Sequence, residues 1–205
     1  MSNVTIIGAG NMGGAIAAIA AQGGNAVQLL ARDAEKVAAT GAAATAGVVG
    51  DAITGDIVVL ALPYAAVTDV LAAYAGQLDG KIIVDLTNPV DFGTFDDLVV
   101  PADSSAAAQI QQAVPSASVL KAFNTNFAAT LHTGSVGGEK TAVLIAGDDA
   151  AAKAALSDLL EAGGVKAIDA GFLKRARELE ALGFLQLTLA AAEKTSWTSG
   201  FALAE

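Results

Sequence analysis

The chain has 205 residues, 54% of them hydrophobic and 16% charged, with a formal net charge of −10 and no cysteine. That content guarantees a sizeable core, yet no apolar run reaches the roughly 18 residues a membrane helix needs. The acidic balance argues against nucleic-acid binding, which rests on basic surface, and the missing thiols exclude a disulfide scaffold, a cysteine nucleophile and a thiolate metal site. No cationic leader precedes the first apolar stretch, so the expectation is a soluble cytoplasmic protein without membrane contact.

Residues 4–7 form a β-branched apolar run that reads as a buried parallel strand. It enters Gly8-Ala9-Gly10-Asn11-Met12-Gly13, a G-x-G-x-x-G turn, and residues 15–21 then read as a helix. Gly8 permits the tight turn, Gly10 lets the backbone approach a pyrophosphate with no Cβ in the way, and Gly13 lets the helix pack close to the strand. The helix turns its free N–H groups and its positive dipole end toward the phosphates. A second strand over 26–30 arrives at βαβ spacing, and its tip selects the nucleotide. NAD binders place a carboxylate there; this chain has Ala31-Arg32-Asp33, with Lys36 one turn on. Arg32 offers a 2′-phosphate a planar, two-pronged clamp and Lys36 adds a second positive charge, which favours NADP over NAD. In the plainer reading both cations are solvated and Asp33 merely caps the next helix.

A short helix follows over 34–40, then a short strand near Val48. Residues 56–62 are a buried strand closed by Pro63-Tyr64, and 65–74 are helical. A strand over 82–86 stops at Thr87-Asn88-Pro89, and 91–103 read as a loop over the sheet edge. Ser104 or Ser105 caps a helix that stops before Pro115. The pattern continues with a strand over 118–123, a helical turn at 127–131, a strand over 141–146, and a helix over 150–162 ended by Gly163-Gly164. A short strand at 165–168 and a long helix from 173 to about 194 complete it. Continuous apolar strands alternating with helices define a Rossmann-type, doubly wound α/β fold with a mostly parallel sheet and a terminal helix. No linker interrupts 1–205, which reads as a single NADP-binding domain with 173–205 as terminal helix and tail.

In such a sheet the ligand lies at the carboxyl ends of the strands. Pro63 and Pro89 there suit walls beside a flat ring, or simply end strands. Asn88, Asn124 and Asn126 offer amides to a carboxamide or a ring carbonyl, or serve as turn residues. Lys121 sits in an apolar strand, where an ammonium needs an anionic partner: a ligand group, or Asp85 on a neighbouring strand. His132 is the only histidine, and one histidine makes neither a metal site nor a triad. No metal-binding, G-x-S-x-G or clustered-carboxylate motif appears, so no catalytic or metal-ligating residue is assigned. A cofactor site without an evident acid or base suits hydride transfer between two bound cofactors, which needs alignment and water exclusion more than proton relay.

The glycine turn, Ala31-Arg32 with Lys36, Leu62-Pro63-Tyr64, Thr87-Asn88-Pro89 and Lys121-Ala122-Phe123-Asn124-Thr125 together resemble the NADPH-dependent F420 reductases, also called F420:NADP oxidoreductases, over nearly the whole chain. The reductase domain of the membrane ferric reductases is similar. The resemblance implies direct hydride transfer between C4 of NADP(H) and the 5-position of the deazaflavin coenzyme F420. It implies cofactor contacts at Ala9, Asn11, Met12, Ala31, Arg32, Lys36, Pro63 and Asn88, within a cofactor site that also takes in Gly8, Gly10, Gly13, Leu62, Pro89, Ala122 and Asn124. The second ring would lie near Lys121, Phe123, Thr125 and Asn126. Archaeal members often carry a histidine where this chain has Phe123, which leaves a flavin or a small imine or carbonyl as an alternative acceptor, with Lys121 or His132 as proton source. A non-catalytic NADP-binding protein is the other alternative. β-Hydroxyacid dehydrogenases and pyrroline-carboxylate reductases share the fold but add a helical domain, for which too little chain follows Gly171.

In the final helix Leu179, Leu182, Leu185 and Leu189 recur at helical spacing, with Phe184 and Leu187 off that stripe. A helix apolar on two faces is usually covered on both, so half would lie on the sheet and half on a partner in an isologous homodimer. Lys174, Arg175 and Arg177 open this helix as a solvated face or a contact for the anionic tail of F420, and Trp197 and Phe201 are candidates to cover a neighbour's site.

Overall fold

The computed structural model describes residues 2–38 and 40–204. Met1, Ala39 and Glu205, which fall within the expected domain, the 34–40 helix and the tail, lie outside the described residues. The chain runs β1 (Asn3–Ile7), α1 (Asn11–Gln22), β2 (Ala26–Ala31), α2 (Ala34–Ala38), β3 (Thr45–Val48), β4 (Ile57–Leu60), a 3₁₀ turn (Tyr64–Ala66), α3 (Val67–Ala73) and β5 (Ile82–Asp85). It continues with α4 (Ala106–Ala113), β6 (Ser118–Lys121), α5 (Ala128–Thr133), β7 (Ser135–Val136), β8 (Glu139–Lys140), β9 (Ala142–Gly147), α6 (Ala150–Ala162), β10 (Lys166–Gly171), a second 3₁₀ turn (Leu173–Arg175) and α7 (Ala176–Ala191).

Eight strands form one sheet in the order β10-β9-β6-β5-β4-β1-β2-β3. Pairing is parallel from β3 through β6, because every connection between those strands crosses over a face of the sheet. At β9 the direction reverses: β9 runs antiparallel to β6, and β10 parallel to β9. Alternate side chains of the same strands feed two cores. Ile6, Leu29, Val59 and Val84 pack under α1, α5 and α6, while Ile7, Leu30, Leu60 and Ile83 pack under α3 and α4. A strand buried on both faces reads as an unbroken apolar run, and that made these strands visible in the sequence.

Three local expectations are corrected. The final strand extends to Gly171 and does not stop at 168. A two-residue hairpin, β7–β8, follows α5 where no element was expected. On α7 the buried residues are Ala176, Leu179, Glu180, Gly183, Gln186 and Ala190, whereas Leu185 is 50% exposed and Leu182 and Leu189 are only half-buried. Small and polar side chains, not the leucine stripe, bring this helix onto the sheet.

Candidate functional site

The sheet order reverses between β1 and β4, and at such a switch point the strand tips splay to leave a crevice. The glycine turn enters this crevice from β1. Gly8 has φ +118°, and a Cβ there would stand 2.1 Å from the Ala61 carbonyl oxygen. A Cβ on Gly13 would stand 1.8 Å from the Gly8 carbonyl oxygen, so helix and turn meet backbone to backbone. Gly10 differs: a Cβ would meet nothing within 4 Å, and the residue has the extended backbone of a helix N-cap, φ −81° and ψ −172°. The chain's own packing gives no reason for glycine at position 10. The open approach to the α1 N-terminus does, and it fits a phosphate seated against those N–H groups.

Two cavities lie along the crevice and meet at Leu62 and Pro63. The first, about 520 Å³, is lined by Gly8, Ala9, Gly10, Ala31, Arg32, Lys36, Val49, Ala61, Leu62, Pro63, Ala66, Asp69 and Val70. Arg32 and Lys36 therefore face the same space, with Asp69 as the acid on the opposite helix. Asp33 also caps as the plainer reading held, its Oδ1 accepting from the Glu35 N–H at 3.0 Å. Leu62 and Pro63 follow β4 directly, and the proline carries the chain out of the sheet into the 3₁₀ turn.

The second cavity, about 570 Å³, opens over the tips of β4, β5 and β6. Of the expected residues, Asn11, Met12, Leu62, Pro63, Asn88, Phe123, Asn124 and Asn126 line it. Tyr64, Leu86, Thr87, Phe92, Phe127, Ala128, Ala129, Leu187, Trp197 and Thr198 complete the wall. Among the described residues no charged side chain lies on it. Its floor is formed by Phe123 and Asn124, just past the tip of β6, where the buried Phe123 has φ +64°. A bulky residue in the left-handed region is held there by its surroundings at a cost of about 1–2 kcal/mol. Asn88 and Asn124 form a reciprocal pair, each amide nitrogen donating to the other residue at 2.9 Å, and Asn124 Nδ2 also donates to the Leu179 carbonyl at 2.8 Å. These bonds leave Asn124 Oδ1 without a partner, as are Asn126 Oδ1 and Thr87 Oγ1, all on residues at least 92% buried. Buried oxygens in that state are sites for ligand donors or water.

Gly13, Pro89, Lys121, Ala122 and Thr125 line neither cavity. Lys121 is fully buried behind the tips, its ammonium 2.8 Å from Asp85 Oδ2 and 2.9 Å from Glu180 Oε1, and donating also to the Thr87 carbonyl. Of the two roles open to Lys121, the structural ion pair is the one its geometry takes, because no face of the ammonium reaches the cavity. Glu180 also accepts from the Ala106 and Ala107 N–H groups at 2.9 and 3.3 Å, closing the N-terminus of α4 beside the Ser105 cap. Burial pushes the Glu180 carboxyl above the ordinary range and the Asp85 charge adds to the rise, although Lys121 and the Ala106 N–H oppose it. Burial, then the charges of Glu180 and Asp85, likewise raise the Tyr64 phenol, which donates to Gln109 Oε1 at 2.5 Å.

Two contributors escaped the sequence reading. Gly183 sits in the middle of α7, where a Cβ would stand 2.4 Å from Asn88 Oδ1 and 2.8 Å from the Asn124 carbonyl oxygen. A glycine inside a helix is costly and was the available signal. Trp197, a candidate in the sequence to cover a neighbour's site, lines its own chain's cavity against Phe127, ring centroids 5.2 Å apart. Phe201 does not line the cavity and is 48% exposed. His132 is exposed at the end of α5 and lines neither cavity.

Residues 3–89 match the model of the family described as NADP oxidoreductase, coenzyme F420-dependent. The F420-dependent NADP reductase of Methanocaldococcus jannaschii is 32% identical over 132 residues, which are 62% of this chain and 59% of that protein. Metalloreductase STEAP3 of Rattus norvegicus is 37% identical over 112 residues, 55% of this chain and 22% of that protein. The chain thus spans less than two thirds of either curated relative. A crystal structure from Arthrobacter sp. FB24, of a protein assigned by inference as an F420-dependent NADP-reductase, superposes with a TM-score of 0.86 at 28% identity and covers all of both chains. The resemblance carried by the motifs is thus found independently in family model, curated relative and solved structure.

Proposed function

We propose, for a chain whose residues 3–89 carry the model of F420-dependent NADP oxidoreductases, that it transfers a hydride directly between NADP(H) and a deazaflavin ring. The observation that supports this most is the pair of cavities joined at Leu62 and Pro63, one with two cations beside the glycine turn and one with no charged side chain among the described residues. NADPH, when bound, would supply the hydride from C4 of its nicotinamide.

The residues present fit that cofactor. The open face at Gly10 admits a pyrophosphate to the N-terminus of α1, and Arg32 and Lys36 hold the 2′-phosphate by charge-assisted hydrogen bonds. Pro63 at the junction walls the nicotinamide. Asn124 Oδ1, Asn126 Oδ1 and Thr87 Oγ1 accept from a carboxamide or from the imide N–H of the second ring, fixing the two ring planes against each other. Phe123, Phe127 and Leu187 keep water from the reacting faces. Phe123, standing where the resemblance implies a histidine in many archaeal members, favours one second reading: an acceptor of a different kind, a flavin or a small imine or carbonyl.

The experiment is an anaerobic acceptor panel with NADPH and NADH side by side. Bleaching of oxidised F420 by NADPH is expected. Reduction of a flavin or an imine alone would move the substrate assignment, and tight NADPH binding without oxidation by any acceptor would make the chain a binding protein. A second copy belongs on the outer face of α7, where Leu185 is half exposed. Sedimentation at a single monomeric mass would remove that dimer.

A further inference from the structure

We propose that Trp197 is a substrate-contacting residue, and that the C-terminal tail straps the second ring into its own chain's cavity. The inference rests on the proposed hydride transfer to a planar ring and adds the residue that recognises that ring's outer face.

The tail reaches the cavity by a defined path. Helix α7 ends with Glu193 in the left-handed region, φ +56°, and the Glu193 and Lys194 N–H groups bond back to the carbonyls of Ala190 and Leu189. That hydrogen-bond pattern reverses the chain sharply at a helix end. A turn over 196–199 follows, in which Ser199 donates to the Ser196 carbonyl from both its N–H, at 3.1 Å, and its hydroxyl, at 2.7 Å. The Ser196 and Thr198 hydroxyls meet at 2.9 Å, and those of Thr195 and Ser199 are also bonded to each other. The four hydroxyls thus spend their hydrogen bonds within the turn, and the turn presents the indole as a fixed group.

The indole leans on the Phe127 ring at an interplanar angle of 53°, lines the cavity with Thr198, and remains 52% exposed. Phe127 itself is 9% exposed, so the indole rests on a covered apolar neighbour while about half of its own surface stays open where it lines the cavity. A rigid aromatic at a charge-free mouth stacks on a flat heteroaromatic ring with little ordering cost. It has no part in holding the adenosine end of NADP(H), because among the described residues none around the Arg32 and Lys36 cavity belongs to the tail.

The test uses the full chain with NADPH and either oxidised F420 or riboflavin 5′-phosphate. Trp197→Ala should raise the KM for the ring acceptor about tenfold, the size of one lost aromatic stacking contact, with the NADPH dissociation constant and Tm unchanged. Trp197→Phe should recover most of the loss and Trp197→Leu should not. Trp197 is the only tryptophan, so its acrylamide quenching slope should also fall when either ring binds. An acceptor KM unmoved in Trp197→Ala, with the acceptor still reduced, overturns the strap and leaves the hydride reading standing. If neither ring is reduced, the hydride reading fails, and the quenching titration still decides Trp197: shielding by a bound ring supports the contact, and an unshielded indole overturns it.

Discussion

Gly10 and Arg32 carry the two residue-level tests of cofactor binding, and they separate binding from folding. Because a Cβ at position 10 meets nothing within 4 Å and φ is ordinary there, Gly10→Ala should fold with an unchanged Tm while losing NADPH affinity. A lowered Tm with affinity intact would show that the glycine serves the chain's own packing. Arg32→Ala should raise the KM for NADPH about tenfold or more, the equivalent of one charge-assisted hydrogen bond, and leave NADH nearly unaffected. An unchanged preference between the two nucleotides would remove the 2′-phosphate argument. Both residues were legible in the sequence, because a glycine turn and the residue at a strand tip are set by local chain geometry. Phe92, Phe127 and Leu187 were not, since their place on the wall depends on contacts between distant segments. Lys121 was half legible: its need for an anion followed from an ammonium in an apolar strand, but the choice among Asp85, Glu180 and a ligand did not.

At the level of elements, α7 holds the tips of β5 and β6 together. Gly183 lets the helix backbone approach the Asn88–Asn124 pair, and Glu180 joins Lys121 to the N-terminus of α4. Gly183→Ala should cost about 1–3 kcal/mol, the usual penalty of overpacking a filled contact, and should lower activity by displacing both amides. Denaturant unfolding checks the first part, and a wild-type midpoint would contradict the packing. Glu180 makes a prediction about pH. Its raised carboxyl holds a proton in the folded chain where the unfolded chain has released it. Stability should therefore fall as pH rises from the ordinary carboxylate range through the raised value. Glu180→Gln should flatten that descent, whatever its effect on the plateau; a descent of equal depth in the variant would assign the proton elsewhere. The leucine stripe misled because side-chain size was read as burial, whereas the approach distance of this helix is set by Ala176, Gly183 and Ala190.

For the whole molecule, the doubly wound sheet was legible because a strand covered on both faces must be largely apolar: β4 is so throughout, and β1, β2, β5 and β6 are so apart from Asn3, Thr5, Gln28, Asp85, Ser118 and Lys121. The reversal at β9 was hidden, since an apolar run reads the same in either direction. The β7–β8 hairpin was hidden because two residues carry no period. Once the order reverses between β1 and β4, the crevice, the two cavities and their junction at Leu62 and Pro63 follow as one groove. The proposed hydride transfer requires that groove to bring a nicotinamide face to face with a second flat ring, with no charged side chain among the described residues between them. The measurement that tests it most directly follows the label from NADPH deuterated at C4 into oxidised F420 in ordinary water. Deuterium retained at the 5-position of the reduced deazaflavin is the predicted result; reduced product carrying only protium from the water there, or no reduction at all, would contradict direct transfer.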